Sequence, residues 1–264
     1  MAMVTYTGQG DPRRTMELLW NLTPGSETTP RGPKPAFTVS DIVAAATDIA
    51  DTEGFDAVSM RAVGERLGRT AMAIYTYVPG KAELIDLMFD RVLLELDVSY
   101  DLTDGWRAAA RRWALDTWDF YLRHPWVHQV SAARPVLGPG SYATMERPAE
   151  IFASAGVGPA DVLKLVGTVS GFVLGMTRQI AELQAATRNL DQSELEWWTT
   201  QSQLMAELVP DVGVRYPRLT AAEADGAFEF EHEPDQYLEQ EARNGFEFGL
   251  ERVLDGIEAY VSRA

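Results

Sequence analysis

His124 and His128 stand four residues apart, the spacing at which two imidazoles on one helical face bind a metal. Pro125 lies between them and restarts the helix, so the pair does not share a face and no metal site is expected. The acid-rich stretch over 223–241 lacks the Asp-x-Asp-x-Asp-Gly order of a calcium loop and reads as solvated surface. There is no Gly-rich phosphate loop, no Gly-x-Ser-x-Gly elbow and no His-Glu-x-x-His helix. The chain is therefore expected to be no enzyme and to carry no cofactor. What remains is the chemistry of recognition. Arg31 and Lys34, in a stretch rich in Pro, Gly, Ser and Thr, could lie in a DNA minor groove as a basic arm. Trp106, Trp113, Trp118, Trp126, Trp197 and Trp198 supply broad apolar surface, most of it core by helical spacing. A cavity walled by Trp113, Phe152, Phe172 and Met176, with Arg134, Tyr142, Arg178 and Gln179 as polar anchors, would suit a planar hydrophobic molecule.

Positioning such groups falls to helices. Ser40 to Glu53 puts Ile42, Val43, Ala46, Ile49 and Ala50 on one stripe, and Gly54 follows where a helix should stop. Ser59 opens a second, shorter helix in which Met60, Val63 and Leu67 recur at helical spacing. Gly68 ends it, Arg69 passes through the turn, and Thr70 is the N-cap of a third helix over 71–78, halted by Pro79-Gly80. A helix this short does not stand alone, so the first two must hold it. Two helices joined by a short Gly-containing turn form a helix-turn-helix, whose second helix enters the major groove.

The remaining chain predicts further helices over 81–96, 106–123, 141–155, 160–186, 193–208 and 235–261, with a new element at Pro125 and an irregular linker over 135–140. Strand alternation is nowhere sustained. The expected fold is all-α: a flexible N-terminal arm (1–36), a three-helix helix-turn-helix DNA-binding domain (37–83) and a larger helical ligand-binding and dimerisation domain (84–264). Within the arm, Met16 to Leu22 is apolar enough to dock as a short helix. The stretch from Val162 to Met176 is apolar nearly all round, with Gly167, Gly171 and Gly175 allowing close approach. The last helix carries Phe246, Leu250, Leu254, Ile257 and Tyr260 on one stripe. Both are candidates for a subunit interface, the alternative being the core of one protomer. A homodimer is favoured because one short helix reads too few base pairs to be specific.

A net charge of −16 argues at first sight against nucleic acid. Its placement softens the objection, since twelve carboxylates face three arginines between Leu219 and Ala264, far from the reading head. No run of about 18 uninterrupted apolar residues exists, so no membrane contact is expected. The N-terminus lacks an apolar leader and cysteine is absent, which fits a cytoplasmic chain.

The run from Gly54 to Asp90, GFDAVSMRAVGERLGRTAMAIYTYVPGKAELIDLMFD, closely resembles the DNA-binding head of the TetR (tetracycline-repressor-like) family of transcriptional regulators. Arg134-Pro135, Gly171 to Met176 and Phe246 to Glu258 are similar to that family's C-terminal domain. The resemblance implies a homodimer on a palindromic operator of double-stranded DNA, released by a small-molecule effector. Carried over by residue, it makes Tyr75 and Lys81 phosphate anchors and places Ser59 and Arg61 against backbone and a neighbouring base. It also turns Ala71, Met72, Ala73, Thr76 and Tyr77 toward the groove. Thr70, besides capping, can donate to a phosphate. Where tetracycline-binding members carry a magnesium-ligating His, four residues before Arg134, this chain has Val130, so a metal-linked effector is not expected. The competing reading is a helix-turn-helix-shaped adaptor that binds protein and has no DNA affinity.

Overall fold

The computed structural model describes residues 5–22, 37–131, 133–189, 194–227 and 234–263. They form two compact units, Met1–Leu174 with Val253–Ala264, and Gly175–Arg252. In the first, β1 (Thr5–Tyr6) and α1 (Pro12–Leu19) precede the head. The head comprises α2 (Val39–Glu53), a single 3-10 turn (Phe55–Ala57), α3 (Met60–Arg66) and α4 (Ala71–Tyr75). Then come α5 (Lys81–Leu93) with a 3-10 turn to Leu96, α6 (Gly105–Arg123), a 3-10 turn (Pro125–Gln129), β2 (Val130–Ser131) and α7 (Pro139–Ala153). The long α8 (Pro159–Asn189) and α12 (Pro234–Val261) each contribute to both units, while α9 (Glu194–Leu208), α10 (Val212–Arg215) and α11 (Pro217–Ala224) lie in the second.

The head forms where its sequence signals fall. Thr38 and Asp41 make a reciprocal capping box, with the Asp41 amide donating to Thr38 Oγ1 at 3.2 Å and the Thr38 amide to Asp41 Oδ2 at 2.7 Å. The expected stripe of Ile42, Val43, Ala46, Ile49 and Ala50 is the buried face of α2. Ser59 caps α3 by accepting from the Ala62 amide at 3.1 Å. Gly68 takes φ +66°, the left-handed region where a side chain is strained, and the chain reverses there. Gly64 sits inside α3 because α4 approaches it closely. A Cβ there would lie 2.9 Å from the Arg69 carbonyl oxygen and 3.2 Å from the Ala71 nitrogen.

The structure revises three expectations. Residues 5–22 are not a free arm: β1 pairs in parallel with β2, Thr5 opposite Val130 and Tyr6 opposite Ser131, and α1 packs on α5 with Leu19 in the core. The apolar stretch from Met16 overlaps α1, whereas β1 left no periodic trace because backbone groups make its pairing. Second, residues 83 and 84 are no packing boundary. One apolar core runs from Leu19 through Ile49, Ile74 and Met88 to Trp126 and Val136, so α5 belongs to head and body alike. Third, Phe246, Leu250, Leu254 and Ile257 are buried within the protomer, which makes that stripe core rather than interface. Gly167, Gly171 and Gly175, by contrast, face open space.

The Pro159–Glu182 stretch of α8 is long and apolar enough to span a bilayer by length and composition, although no uninterrupted apolar run predicted it. Val162, Val166, Val169, Val173, Thr177 and Ile180 form its buried edge at three- and four-residue steps, the pattern of a helix packed on other helices.

Two glycine substitutions should separate contact from propensity. Gly64→Val is expected to destabilise the protein by about 1–3 kcal/mol, the cost of overpacking against backbone. Gly167→Ala, at an open helical site, should be neutral or stabilising by up to ~1 kcal/mol. Urea denaturation of both variants measures the difference, and equal midpoints would remove the close-approach argument.

Candidate nucleic-acid interface

Helix α4 is short, and two side chains hold it: Ile74 and Val78 are fully buried against the head core. With Ile74 fixed inward, helical geometry turns Met72, Tyr75 and Thr76 outward. Met72 is 74% exposed and Tyr75 46% exposed, large apolar and aromatic surface with nothing on it. Ala71, Ala73 and Tyr77 are half-buried at the rim of this face. Thr70 accepts from the Ala73 amide at 3.4 Å, which leaves its hydroxyl proton available to an outside acceptor. Met72, Tyr75 and Thr76 thus share one exposed face, while Tyr77 packs on Phe37 and against the head core.

The elements on either side of α4 carry exposed cations. Arg61 is exposed and pairs with Glu65 at 3.7 Å, a solvent-screened contact that a phosphate can displace. Lys81 is exposed at the start of α5, with Nζ 5.9 Å from the centre of the Phe55 ring. Arg66 is committed elsewhere, to Asp48 and Glu53 of α2. Sequence reasoning passed over Arg69. Its guanidinium lies 5.8 Å over Phe37, which in turn packs on Tyr77 at 4.7 Å, so a third exposed cation is braced beside the α4 N-cap. An arginine directly ahead of a cap in the helix-turn-helix turn was the available signal. Arg31 and Lys34 lie outside the described residues.

Behind Lys81 a polar junction ties head to body. Phe55 stacks on Trp126 at 5.8 Å with an interplanar angle of 3°. Trp126 Nε1 donates to Asp51 Oδ1 at 2.7 Å. His124, almost wholly buried, bridges Asp51 of α2 through Nδ1 at 2.9 Å and Glu95 through Nε2 at 3.1 Å. Burial alone would push the imidazole pKa down. The hydrogen bond and charge of Asp51, then those of Glu95, outweigh it and hold His124 above its ordinary value. An open cleft of about 430 Å3 adjoins this junction, bordered by Asp48, Arg91 and His124. His128 stacks on Tyr121 at 4.7 Å instead of joining His124.

The expected effector residues are not gathered into one place. Trp113 and Phe152 meet edge to face at 6.2 Å, and Trp106 packs on the same ring at 6.1 Å. Tyr142 lies ten residues before Phe152 on α7, roughly 15 Å along the axis, and packs edge-on against Trp20. Arg134 is exposed, and its backbone carbonyl accepts from Thr7. Both therefore leave the aromatic cluster. Helical spacing could not fix them because each is turned by contact with the N-terminal segment. Phe172 is half-buried. In the second unit Met176 is half-buried beside Gly245, and Arg178 and Gln179 are exposed. Among the described residues no group of three or more His, Asp or Glu side chains could hold a metal ion.

Comparison with known proteins bears on both halves of the chain. A family profile described as bacterial regulatory proteins, tetR family, matches residues 38–88. A second, described as tetracyclin repressor-like, C-terminal domain, matches residues 101–261. The HTH-type transcriptional repressor DrrR1 of Streptomyces coeruleorubidus is 37% identical over 259 residues, spanning 97% of this chain and 89% of its own. A TetR transcriptional regulator of Streptomyces coelicolor superposes with a TM-score of 0.63 at 29% identity, over 84% of this chain and 98% of that one. ActR of Streptomyces coelicolor, solved in complex with actinorhodin, gives a TM-score of 0.66 at 24% identity over 86% and 97% of the two chains, a likeness of fold.

The His124 junction predicts a pH signature. Because the folded pKa is raised, the stabilisation is fully present below the unfolded value near 6.5 and is lost as pH rises through the folded value. Wild type should therefore exceed His124→Gln in Tm at mildly acidic pH, with the gap narrowing as pH rises past neutrality. Thermal melts across that range test this, and a gap that widens with pH contradicts the protonated bridge.

Proposed function

Since the chain belongs to the TetR family of transcriptional regulators, we propose that it is a cytoplasmic repressor that binds a palindromic operator as a homodimer and lets go when a small hydrophobic effector binds. The observation that carries this reading is the outward face of α4, Met72, Tyr75 and Thr76 locked by buried Ile74 and flanked by exposed Arg61, Arg69 and Lys81. Tyr75 and Lys81 hold phosphates, with the ammonium acting beside the amides of the α5 N-terminus. Ser59, Arg61 and Thr70 set the approach from α3 and the turn. Ala71 and Ala73 admit the helix deeply and meet thymine methyls, while Met72, Thr76 and Tyr77 face base edges. Arg31 and Lys34 reach the adjacent minor groove.

The homodimer follows from surfaces that one protomer leaves uncovered. On α8, Leu163 and Leu174 are exposed on the open side together with Gly167 and Gly171, a second seam at helical spacing. On α9 every side chain from Glu196 to Leu208 is exposed, including Trp197, Trp198 and Leu208. A helix that leaves two tryptophans and Leu204, Met205 and Leu208 exposed is the kind that a second subunit covers. The named repressor relative and the actinorhodin complex of ActR support repression and a small-molecule effector. The effector enters beside Trp113 and Phe152. Val130, where a metal-ligating His would stand, is buried in β2 opposite Thr5, so the effector needs no magnesium.

A gel shift on the DNA upstream of the protein's own gene tests the reading against the adaptor alternative, which the acidic net charge permits. Lys81→Ala should weaken binding about equally on matched and mismatched sites and reduce the salt slope by about 0.9. Thr76→Ala should instead change which sequence is preferred. No binding by wild type at low salt would leave the adaptor.

For the interface, sedimentation of Gly171→Leu should show a folded monomer, whereas Leu254→Asp, which buries a charge inside the protomer, should lose the fold itself. A dimeric Gly171→Leu protein would remove the α8 seam.

A further inference from the structure

The N-terminal segment makes contacts that DNA recognition has not used. It packs along α5 and reaches two carboxylates there. The Gly8 amide donates to Asp86 Oδ1 and the Asp11 amide to Glu83 Oε1, each at 2.9 Å. Both acids are buried, Asp86 to within 1% of full enclosure. Asp86 Oδ2 has no hydrogen-bond partner, and burial, opposed by the Gly8 amide and reinforced by the Glu83 charge, pushes that carboxyl above its usual range. The segment's own sequence is shaped for this seat. Gly8 takes φ +70°, and a Cβ on Gly10 would run into the Glu83 carboxylate. The other edge of the segment is fastened to the body. Thr7 donates through its amide to the Ser131 carbonyl at 3.1 Å and through its hydroxyl to the Arg134 carbonyl at 2.6 Å. Trp20 Nε1 donates to the Leu137 carbonyl at 2.8 Å.

We infer that residues 5–22 are a latch that fixes the N-terminal turns of α5, and through them Lys81, with Glu83 and Asp86 as its positioning residues. Two neighbouring buried carboxylates with no paired cation among the described residues are a costly arrangement, which the latch amides make tolerable. Once the latch lifts, both acids regain water, which offsets part of the cost of exposing Leu19 and giving up the Thr7 and Trp20 hydrogen bonds. The end of α5 that bears Lys81 then loses both amide contacts and keeps Leu84 in the head core and Lys81 over Phe55. The latch is thus a releasable tie between the body, at β2 and the start of α7, and the helix that carries a phosphate anchor. The consequence for operator binding rests on the proposed DNA-binding function, whereas the tie itself does not.

The test uses full-length protein and two measurements, hydrogen exchange without DNA and operator affinity on the gene's own upstream fragment. Asp86→Leu removes the acceptor for Gly8, Gly10→Val displaces Glu83 in case the first variant misfolds, and Asp86→Asn keeps an acceptor oxygen. In Asp86→Leu and Gly10→Val, exchange over 5–11 and 81–88 should rise about tenfold or more, and operator affinity should fall by about tenfold. Asp86→Asn should stay near wild type in both. Faster exchange confined to 5–11, with 81–88 and affinity unchanged, would make the segment a passive tail and overturn the latch. A wild type that binds no DNA while 81–88 still loosens in the variants would instead sink the operator reading and leave the tie to α5 intact.

Discussion

A helix buried on nearly every side cannot carry carboxylates unless the surrounding fold brings donors to them, and α5 carries three. From Glu83 to Asp90 every residue is buried, and Glu83, Asp86 and Asp90 interrupt an otherwise apolar surface of Leu84, Ile85, Leu87, Met88 and Phe89. An unpaired ionised group in such a place is prohibitively costly. The answer is the same at all three: backbone amides of segments distant in sequence. Asp11 and Gly8 serve Glu83 and Asp86, and Asp90 accepts from the Gly140 and Ser141 amides at 3.1 and 2.9 Å. The last pair lies in the first turn of α7, where amides are unsatisfied within the helix and the dipole favours an anion. One constraint therefore places the N-terminal segment and α7 around α5.

The same constraint explains where glycine stands. A Cβ at Gly10 or Gly138 would meet the carboxylate it faces, and one at Gly140 would meet the Asp90 backbone. Backbone can approach a buried carboxylate closely only where no side chain intervenes. The helix-turn-helix uses the same device at Gly64, where two helices meet through backbone.

Local signals made the head legible. Ser59 and Thr70 caps, Gly68 and the stripes of α2 and α3 each act within a few residues, so a linear reading recovers them. The contacts around α5 act over 50 to 78 residues of separation and leave no periodic trace. A run such as Thr7-Gly8-Gln9-Gly10 looks like loop composition until its partners are known. Ligand-side residues failed for a related reason. Tyr142 and Phe152 share α7, yet Trp20 takes the first and Trp113 the second. Likewise the Phe246 to Ile257 stripe was readable as apolar, but spacing does not say whether a stripe faces the protomer's own core or a second chain.

Helix α5 is gripped at both ends by different chemistry. At its start, Lys81 lies over Phe55 and Glu83 is held by the Asp11 amide. Beyond its end, Glu95 meets His124, which also holds Asp51 of α2, while Trp126 joins Asp51 to the Phe55 stack. Phe55, Trp126, Asp51 and His124 thus close a ring that returns to the residue beneath Lys81. A helix fixed at both ends moves as a rigid body or not at all. A ligand shifts such an element only through a difference in its affinity for two arrangements. The contacts best able to differ are those whose breaking restores solvation, namely the buried carboxylates and the His124 bridge, because a close-packed apolar core resists rearrangement.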